Sequence, residues 1–220
     1  MNDVEQMSGV DRELFTAPAL EVAPRLLGAI LSVQSPGGAA RVSLRITEVE
    51  AYHGVGMPGP YDAGSHSRDR RTERNASMFG PPGHAYVYLS HGLHFALNFV
   101  CSPEGSASGV LIRAGEIVEG EELAALRRDR VVPPHHLARG PGNLAKALGI
   151  TRPLHDGSDL LAAPFELRLA ADPPRAISTG PRVGVSGEAG SAVFPWRFWI
   201  TGDRTVSAYR PGRNVPQARP

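Results

Sequence analysis

The sequence predicts an α+β fold in one domain, with antiparallel strands and short helices around them. Two observations support this prediction. Two pairs of segments alternate between apolar and polar residues, and a short turn joins the members of each pair, as in β-hairpins. Segments with helical spacing lie before the first hairpin and after the second. A chain of 220 residues can bury one core of ordinary size.

The first predicted hairpin covers residues 28–52 and begins after a predicted helix. The segment PALEVAPRLLGAILSV has apolar residues at helical spacing and then becomes rich in β-forming residues. The turn signal SPGG separates it from RVSLRITEVEAY, which alternates as a strand. Because successive side chains of a strand point to opposite faces, Glu48, Glu50 and Tyr52 share one face. Such a face is either in water or part of a functional site.

Residues 53–83 are predicted to form a long loop. They show no sustained periodicity, they hold clusters of glycine and proline, and their charge is concentrated in HSRDRRTERN. Long loops in compact domains usually have a function. We therefore expect a ligand to bind here.

The second predicted hairpin consists of AYVYL and HFALNFVC, with its tip at residues 90–92. Tyr86 and Tyr88 share a face of the first strand, and Asn98 lies opposite the apolar face of the second. GVLIRAG is predicted to be the next strand, with Arg113 near its end.

The rest of the chain is predicted to contain two helices followed by short strands and turns. EGEELAALRRDR has acidic residues in its first turn and arginines in its last, which the helix dipole favours. GPGNLAKALGI has a glycine-rich turn that opens a short helix. PRVGVSG and FPWRFWITG are typical of short strands and turns. We expect flexible tails at about residues 1–12 and 212–220.

The charge distribution is polarised along the chain. The net charge is only +1, so any contact with nucleic acid requires a local basic patch. Residues 1–24 are mainly acidic, whereas residues 123–154 are mainly basic. The basic residues of this second segment are Arg127, Arg128, Arg130, Arg139, Lys146 and Arg152.

The single cysteine, Cys101, excludes an internal disulfide and a multi-cysteine metal site, and we expect it to be a core residue. His84, His91 and His94 lack a carboxylate or cysteine that would complete a metal site. We find no signal peptide and no apolar run near the length that spans a membrane. These features predict a cytoplasmic protein without a membrane contact.

Four segments together resemble one protein family. They are EAYHG, SHSRDRRTERNASMFGPPGHAYVYLSHGLHFALNFV, GVLIRAGE and GPGNLAKALGI, in the family's order within about residues 15–210. The family is that of the alkyladenine (3-methyladenine or N-methylpurine) DNA glycosylases. The resemblance implies base excision repair of duplex DNA: a damaged purine is flipped out, its N-glycosidic bond is hydrolysed and an abasic site remains. 3-Methyladenine and 7-methylguanine are the implied substrates, with hypoxanthine as a further candidate.

The resemblance also implies roles for individual residues. Glu50 matches the general base that activates water, and Arg113 matches a residue beside that water. The implied base-binding residues are Tyr52, His66, Tyr88 and Asn98, of which Asn98 excludes normal guanine. The electron-rich tyrosines suit a cationic alkylated ring. No cofactor is implied, and we expect a monomer.

The implied fold is a curved antiparallel sheet surrounded by helices, with a protruding hairpin that enters the DNA minor groove. His91 occupies the intercalating position, where better-known members have a tyrosine before Gly-Met. Here Gly92 and Leu93 follow, and a histidine is smaller and can become charged. The residues expected to hold the DNA backbone are Arg70, Arg71, Arg74, Arg139 and Lys146.

Other functions fit parts of the sequence. Strand cleavage through a Schiff base requires an amine, and the only lysine, Lys146, lies outside the predicted pocket, so a purely hydrolytic enzyme is expected. A carbohydrate glycosidase could use Glu48 and Glu50 as its acid and base pair, although sugar-binding tryptophans near the pair are missing. A non-catalytic lesion-binding protein would keep the basic residues but would not require Glu50.

Overall fold

The computed structural model describes residues 10–90 and 92–216. In this part of the chain, nine strands form one antiparallel sheet with the order β3-β4-β5-β2-β1-β7, while β6 pairs with β5 and β9 pairs with β2 and β8. The strands are β1 Ile30–Gln34, β2 Arg41–His53, β3 Ala85–Ser90, β4 His94–Val100, β5 Ser108–Glu119, β6 Ala138–Arg139, β7 Phe165–Arg168, β8 Ile177–Gly180 and β9 Arg197–Ile200. The helices are α1 Ala19–Arg25, α2 Glu121–Arg128, α3 Pro141–Leu148 and α4 Arg152–His155. The predicted α+β class is confirmed.

The two longest strands, β2 and β5, form the centre of the sheet. They are antiparallel, and their register places Glu50 opposite Leu111 and Tyr52 opposite Gly109. The register shifts on both sides of Glu48, which is typical of a β-bulge. On its other edge, β2 pairs first with β1 and then, around Glu48 and Glu50, with β9. The carboxylates therefore lie where three strands meet.

The core lies on the face of the sheet opposite Glu50. Val49 and Ala51, which alternate with Glu50 and Tyr52, belong to one buried cluster with Val22 of α1. Cys101 is buried in the same cluster, as expected. The alternation of β2 thus separates an apolar face from a face that carries charge.

Both predicted hairpins are present, and residue 91 at the tip of the second lies outside the described residues. The long loop is also present and contains one 3-10 helix, Ala76–Phe79. Two strand predictions were wrong. β5 continues to Glu119, so Arg113 lies in the middle of its strand and not near its end. PRVGVSG follows β8 as a loop, and β7 was not predicted.

The predicted helices α2 and α3 are confirmed, but two arginines of α2 serve the fold rather than a basic surface. Arg128 is 4% exposed and donates to the carbonyl oxygens of His136 and Leu137. Arg127 donates to the Ala147 carbonyl at 3.1 Å and to Ser35 Oγ at 2.8 Å. Both guanidinium groups therefore hold neighbouring segments together.

The ends of the described chain are connected to the domain. Arg12, which falls in the segment predicted to be a tail, forms a 2.6 Å ion pair with Asp159. Near the other end, the Gly187 amide donates to the Arg213 carbonyl at 2.9 Å. Among the described residues, no helix is long and apolar enough to cross a membrane.

The close approach of β2 and β5 makes Gly115 a sensitive position. A Cβ atom at Gly115 would meet the Arg45 carbonyl oxygen and lie 2.6 Å from Leu44 Cγ. Gly115→Ala should destabilise the protein by about 1–3 kcal/mol, because this backbone is fixed by its sheet partners. We expect a lower thermal unfolding midpoint, by roughly 2–4 °C per kcal/mol for a chain of this size.

Gly109 on the same strand provides the control. A Cβ atom there would make only ordinary contacts, the nearest at 3.4 Å from Met78 Cε. Gly109→Ala should leave the unfolding midpoint almost unchanged. Equal midpoints for the two variants would contradict the assignment of strain to Gly115.

Candidate active site

The charged face of β2 is buried rather than exposed to water. Glu50 is 0% exposed, and both of its carboxylate oxygens accept hydrogen bonds. Oε1 accepts from the Val183 amide at 2.7 Å, while Oε2 accepts from the Tyr52 hydroxyl at 2.8 Å and from Arg113 Nη1 at 3.2 Å. Three donors from three segments of the chain therefore fix the orientation of this carboxylate.

Glu48 is equally buried but has a different environment. It accepts from Arg113 Nε at 3.1 Å and from Arg197 Nε at 2.7 Å. The amide and hydroxyl of Ser207 add bonds of 2.7 and 2.9 Å. With four donors around it, the carboxylate holds two arginines and is not positioned to transfer a proton. This arrangement argues against Glu48 and Glu50 as the acid and base pair of a carbohydrate glycosidase.

Arg113 connects the two carboxylates and is 6% exposed. Burial acts to lower the pKa of Arg113, but the charges of Glu50 and Glu48 outweigh it and raise the pKa above its ordinary value. The guanidinium is therefore a permanent cation beside Glu50. It keeps positive charge within hydrogen-bond distance of both carboxylates.

A second arginine, Arg182, organises the other side of the site, and no sequence pattern indicated its role. It is fully buried and donates to Asp62 through Nη1 at 2.8 Å and Nη2 at 2.6 Å. It also donates to the carbonyls of Ala51 and Ala189. Its guanidinium carbon lies 4.5 Å from the centre of the Tyr52 ring, a cation–π contact on one face of that ring.

Tyr52 is held through its hydroxyl as well as its ring. Burial, and then the charge of Glu50, raise its pKa well above the ordinary value for a tyrosine. The phenol therefore keeps its proton and donates it to Glu50 in a hydrogen bond. Arg182, the β2 backbone and Glu50 together leave the ring little freedom to rotate.

Three other rings are close together near Glu50. His66 and Tyr88 meet edge to face with centroids 4.5 Å apart, and Tyr86 stacks on Tyr88 at 5.4 Å. His66 Nδ1 lies 3.0 Å from the Tyr86 hydroxyl. Burial, followed by the nearby charge of Glu50, raises the pKa of Tyr88 to about 12. His66 of the long loop therefore lies against Tyr86 and Tyr88 of β3.

The sheet register places Asn98 in line with these groups. Glu50 pairs with Leu111, Leu111 with Asn98, and Asn98 with Tyr86, so the four residues form one row across β2, β5, β4 and β3. Asn98 is 5% exposed, and its Nδ2 donates to the Tyr86 carbonyl at 2.9 Å. This bond fixes the orientation of the amide.

His66 itself is expected to be neutral at pH 7. Partial burial, and the positive charges of Arg74 and Arg68, lower its pKa below the ordinary value. Arg70 and Arg74 lie beside His66 and, with it, line a polar cavity of about 320 Å³. These two arginines and Arg71 are exposed, as a DNA-binding role requires.

Arg139 and Lys146 are the other described residues predicted to contact DNA. Arg139 is half-buried; its Nε donates to the Val206 carbonyl at 2.8 Å, and β6 holds it opposite Ala114, next to Arg113. Lys146 is exposed on α3. His91 lies outside the described residues. Within residues 10–90 and 92–216, no group of three potential ligands could hold a metal ion.

The sequence is similar to that of known proteins over most of its length. Residues 13–204 match the family model described as methylpurine-DNA glycosylase. The chain belongs to this family. Methylpurine-DNA glycosylases are base excision repair hydrolases that cleave N-glycosidic bonds in DNA, so the resemblance read from the sequence is confirmed.

Three relatives, each named "Putative 3-methyladenine DNA glycosylase", illustrate the similarity. The protein from Leifsonia xyli is 52% identical over 203 residues, which cover 90% of this chain and 92% of the relative. The Streptomyces avermitilis protein is 51% identical over 203 residues, covering 90% and 91%. The Mycobacterium tuberculosis protein is 46% identical over 195 residues, covering 88% and 91%.

His53, next to Tyr52 in this methylpurine-DNA glycosylase, should make its stability depend on pH. It is 4% exposed, its ring is tilted against that of Trp196 with the centroids 5.0 Å apart, and neither ring nitrogen has a hydrogen-bond partner among the described residues. Burial lowers its pKa, and the charge of Asp62, which acts to raise the pKa, does not reverse this shift because the charge of Arg182 acts in the same direction as burial. The unfolded chain therefore binds the proton at a higher pH than the folded chain does, so stability falls as the pH drops through about 6.5.

We expect the thermal midpoint to decrease between pH 7.5 and pH 5.5. His53→Phe keeps a ring against Trp196 and removes the titrating group, so the decrease should become smaller. His94→Gln, a change at an exposed histidine, serves as the control and should leave the pH dependence intact. A His53→Phe profile identical to that of the wild type would remove His53 as a cause.

Proposed function

We propose that this methylpurine-DNA glycosylase excises alkylated purines, 3-methyladenine and 7-methylguanine among them, from duplex DNA. The damaged base is flipped out, the N-glycosidic bond is hydrolysed, and an abasic site is left. The observation that carries the proposal is the buried Glu50 carboxylate, fixed by Arg113 and by the Val183 amide beside a group of aromatic rings. The rings suit a flat base, and the carboxylate suits the activation of water.

Glu50 is proposed to act as the general base. A water oxygen attacks C1′ of the flipped nucleotide while the water proton passes to a free lone pair of the Glu50 carboxylate. The electron pair of the broken C1′–N bond goes to the departing base. A purine alkylated at N3 or N7 carries a positive charge, so it leaves as a neutral molecule and needs no protonation. Arg113 is proposed to position Glu50 and the water.

Tyr52, His66 and Tyr88 are proposed to hold the base. One face of the Tyr52 ring is occupied by Arg182, so only its other face is available for stacking. The lowered pKa of His66 keeps the imidazole uncharged near neutral pH, which avoids repulsion of a cationic base. Asn98, with its amide fixed by the Tyr86 carbonyl, is proposed to exclude guanine through a clash with the 2-amino group.

Five basic residues are proposed to bind the DNA backbone. Arg70, Arg71, Arg74, Arg139 and Lys146 would contact phosphates, as basic side chains commonly do. The tip of the β3–β4 hairpin would enter the minor groove with His91 as the intercalating residue. Leu93, which is 74% exposed beside this tip, adds an apolar surface suited to a base step. The enzyme is proposed to act as a monomer inside the cell, without a cofactor.

Hydrolysis without strand cleavage is the proposed outcome. Lys146 is the only lysine in the sequence, and it is exposed on α3 rather than placed among the aromatic rings. A lyase reaction would require an amine that forms a Schiff base at the sugar. A non-catalytic lesion-binding protein remains the second candidate, but it gives no reason for the three hydrogen bonds that orient Glu50.

Glu50→Gln tests the catalytic proposal. The variant should still bind methylated duplex DNA, but its single-turnover rate of base release should fall by about 10²–10⁴-fold, the usual contribution of a general base. Free base and alkali-labile sites provide the measurement. Glu116→Gln, a change at an exposed glutamate on β5, is the control and should release base at the wild-type rate. Near-normal release by Glu50→Gln would remove Glu50 from the mechanism.

The arginines near His66 should determine the salt dependence of DNA binding. Each of Arg70→Ala, Arg71→Ala and Arg74→Ala should weaken binding and reduce the slope of log K against log salt by about one. Arg25→Ala removes an exposed arginine from α1, which packs on the core face of the sheet, and should change neither quantity. Unchanged slopes in all three variants would rule out phosphate contacts by this segment.

A further inference from the structure

Residues 66–75, here named the arginine loop, fold around one buried amide. Asn75 is 1% exposed although its neighbours on the loop are exposed. Its Oδ1 accepts from the Thr72 amide at 2.6 Å, and its Nδ2 donates to the carbonyls of His66 at 2.8 Å and Arg70 at 3.0 Å. The oxygen and both hydrogens of the side-chain amide are thus used within the loop.

The arginine loop has little else to hold its middle part. Residues 68–74 contain no strand or helix. Their other side-chain cross-links are mainly exposed. The Tyr61 hydroxyl binds Asp69 at 2.6 Å, Arg68 donates to the Ala63 carbonyl at 3.1 Å and the Ser65 carbonyl at 3.4 Å, and Arg152 donates to the Glu73 carbonyl at 3.2 Å. Exposed contacts of this kind contribute little, because water competes for the same groups. The Asn75 amide is shielded from water and joins both halves of the loop.

We propose that Asn75 is a positioning residue that couples recognition of the damaged base to binding of the DNA backbone. One amide group binds the backbone of His66, which faces the aromatic rings, and the backbone of Arg70, which faces outward. The cavity between His66, Arg70 and Arg74 then receives one phosphodiester of the DNA. This inference rests on the proposed function. It assigns to Asn75 the positioning of both His66, which is proposed to bind the base, and Arg70, which is proposed to bind a phosphate.

The coupling has a physical consequence for binding. If one amide sets both positions, the base contact and the phosphate contact form together, and a loop that has lost the amide loses both. Without the Asn75 amide, the arginine loop has to become ordered when DNA binds, which costs conformational entropy. An arginine on this disordered loop therefore contributes less to affinity than the same arginine on the wild-type loop. The effect of an arginine substitution should therefore depend on residue 75.

The isosteric variant Asn75→Asp tests this role. Its carboxylate would face the His66 and Arg70 carbonyls with lone pairs instead of hydrogens, so two attractions become repulsions. We expect the affinity for methylated duplex DNA and the single-turnover rate to fall roughly 10- to 100-fold at pH 8, since each tenfold corresponds to one or two such bonds. Burial beside two carbonyl oxygens should raise the pKa of this carboxyl, so a larger fraction is protonated at pH 5.5. Its single hydrogen can then bond one of the two carbonyls, and the loss relative to the wild type at the same pH should become smaller.

A double-mutant cycle separates positioning from general destabilisation. Arg70→Ala should weaken DNA binding clearly in the wild type and much less in the Asn75→Asp background. Val33→Ala provides the stability control, because it removes buried volume from β1, on the far side of β2 from β5. In the Val33→Ala background, the Arg70→Ala effect should keep its full size. Additive effects of Asn75→Asp and Arg70→Ala would overturn the proposal.

The failure of the proposed function would give a different result. A wild-type protein that releases no base from methylated DNA would contradict the proposed function, while the double-mutant cycle could still be measured as affinity for undamaged duplex. If the wild type releases base and the Asn75→Asp variant binds and reacts like the wild type, only the role of Asn75 is contradicted. Circular dichroism at each assay pH checks that every variant is folded.

Discussion

The site depends on a buried set of six charges that balance one another. Three carboxylates, of Glu48, Glu50 and Asp62, meet three guanidinium groups, of Arg113, Arg182 and Arg197, and none of the six residues is more than 6% exposed. Burying an unpaired charge is very unfavourable, and removing one partner of a buried pair typically costs about 3–5 kcal/mol. Each charge therefore requires its partners to be in place, which fixes the Glu50 carboxylate together with the strands that carry these residues.

This network also explains why two similar glutamates have different roles. Glu48 and Glu50 are two residues apart on β2, yet Glu48 binds two arginines and Ser207, whereas Glu50 shares its donors with the aromatic site through Tyr52. Strand β9 places Arg197 opposite Glu50, but the Arg197 side chain reaches diagonally to Glu48 and donates to its Oε1 at 2.7 Å. Glu48 supports the site, and Glu50 is left as the proposed base.

Local patterns in the sequence predicted the parts of the site that depend on local geometry. The alternation of RVSLRITEVEAY was enough to place Glu48, Glu50 and Tyr52 on one face, and turn signals located both hairpins. Arg182 could not be found in this way, because its partner Asp62 is 120 residues away and no spacing rule connects them. Asn75 was missed for another reason: a polar residue in a charged loop gives no sign that its amide is buried. Arg127 and Arg128 have the same composition signal as surface arginines, and only the packing of α2 shows that they bind carbonyl oxygens.

The row formed by Glu50, Leu111, Asn98 and Tyr86 sets a distance that side chains cannot adjust. Neighbouring strands lie about 4.8 Å apart, so the backbones of Glu50 and Asn98 are separated by two such steps, roughly 10 Å. Backbone hydrogen bonds along β2, β5 and β4 maintain this spacing, and changing it would require a different strand order. The separation between Glu50, the proposed general base, and Asn98, the proposed specificity residue, is therefore a property of the sheet. If both residues act on one flipped nucleotide, as proposed, a larger or smaller base has to be accommodated by side chains and loops, because this separation can change only with the fold.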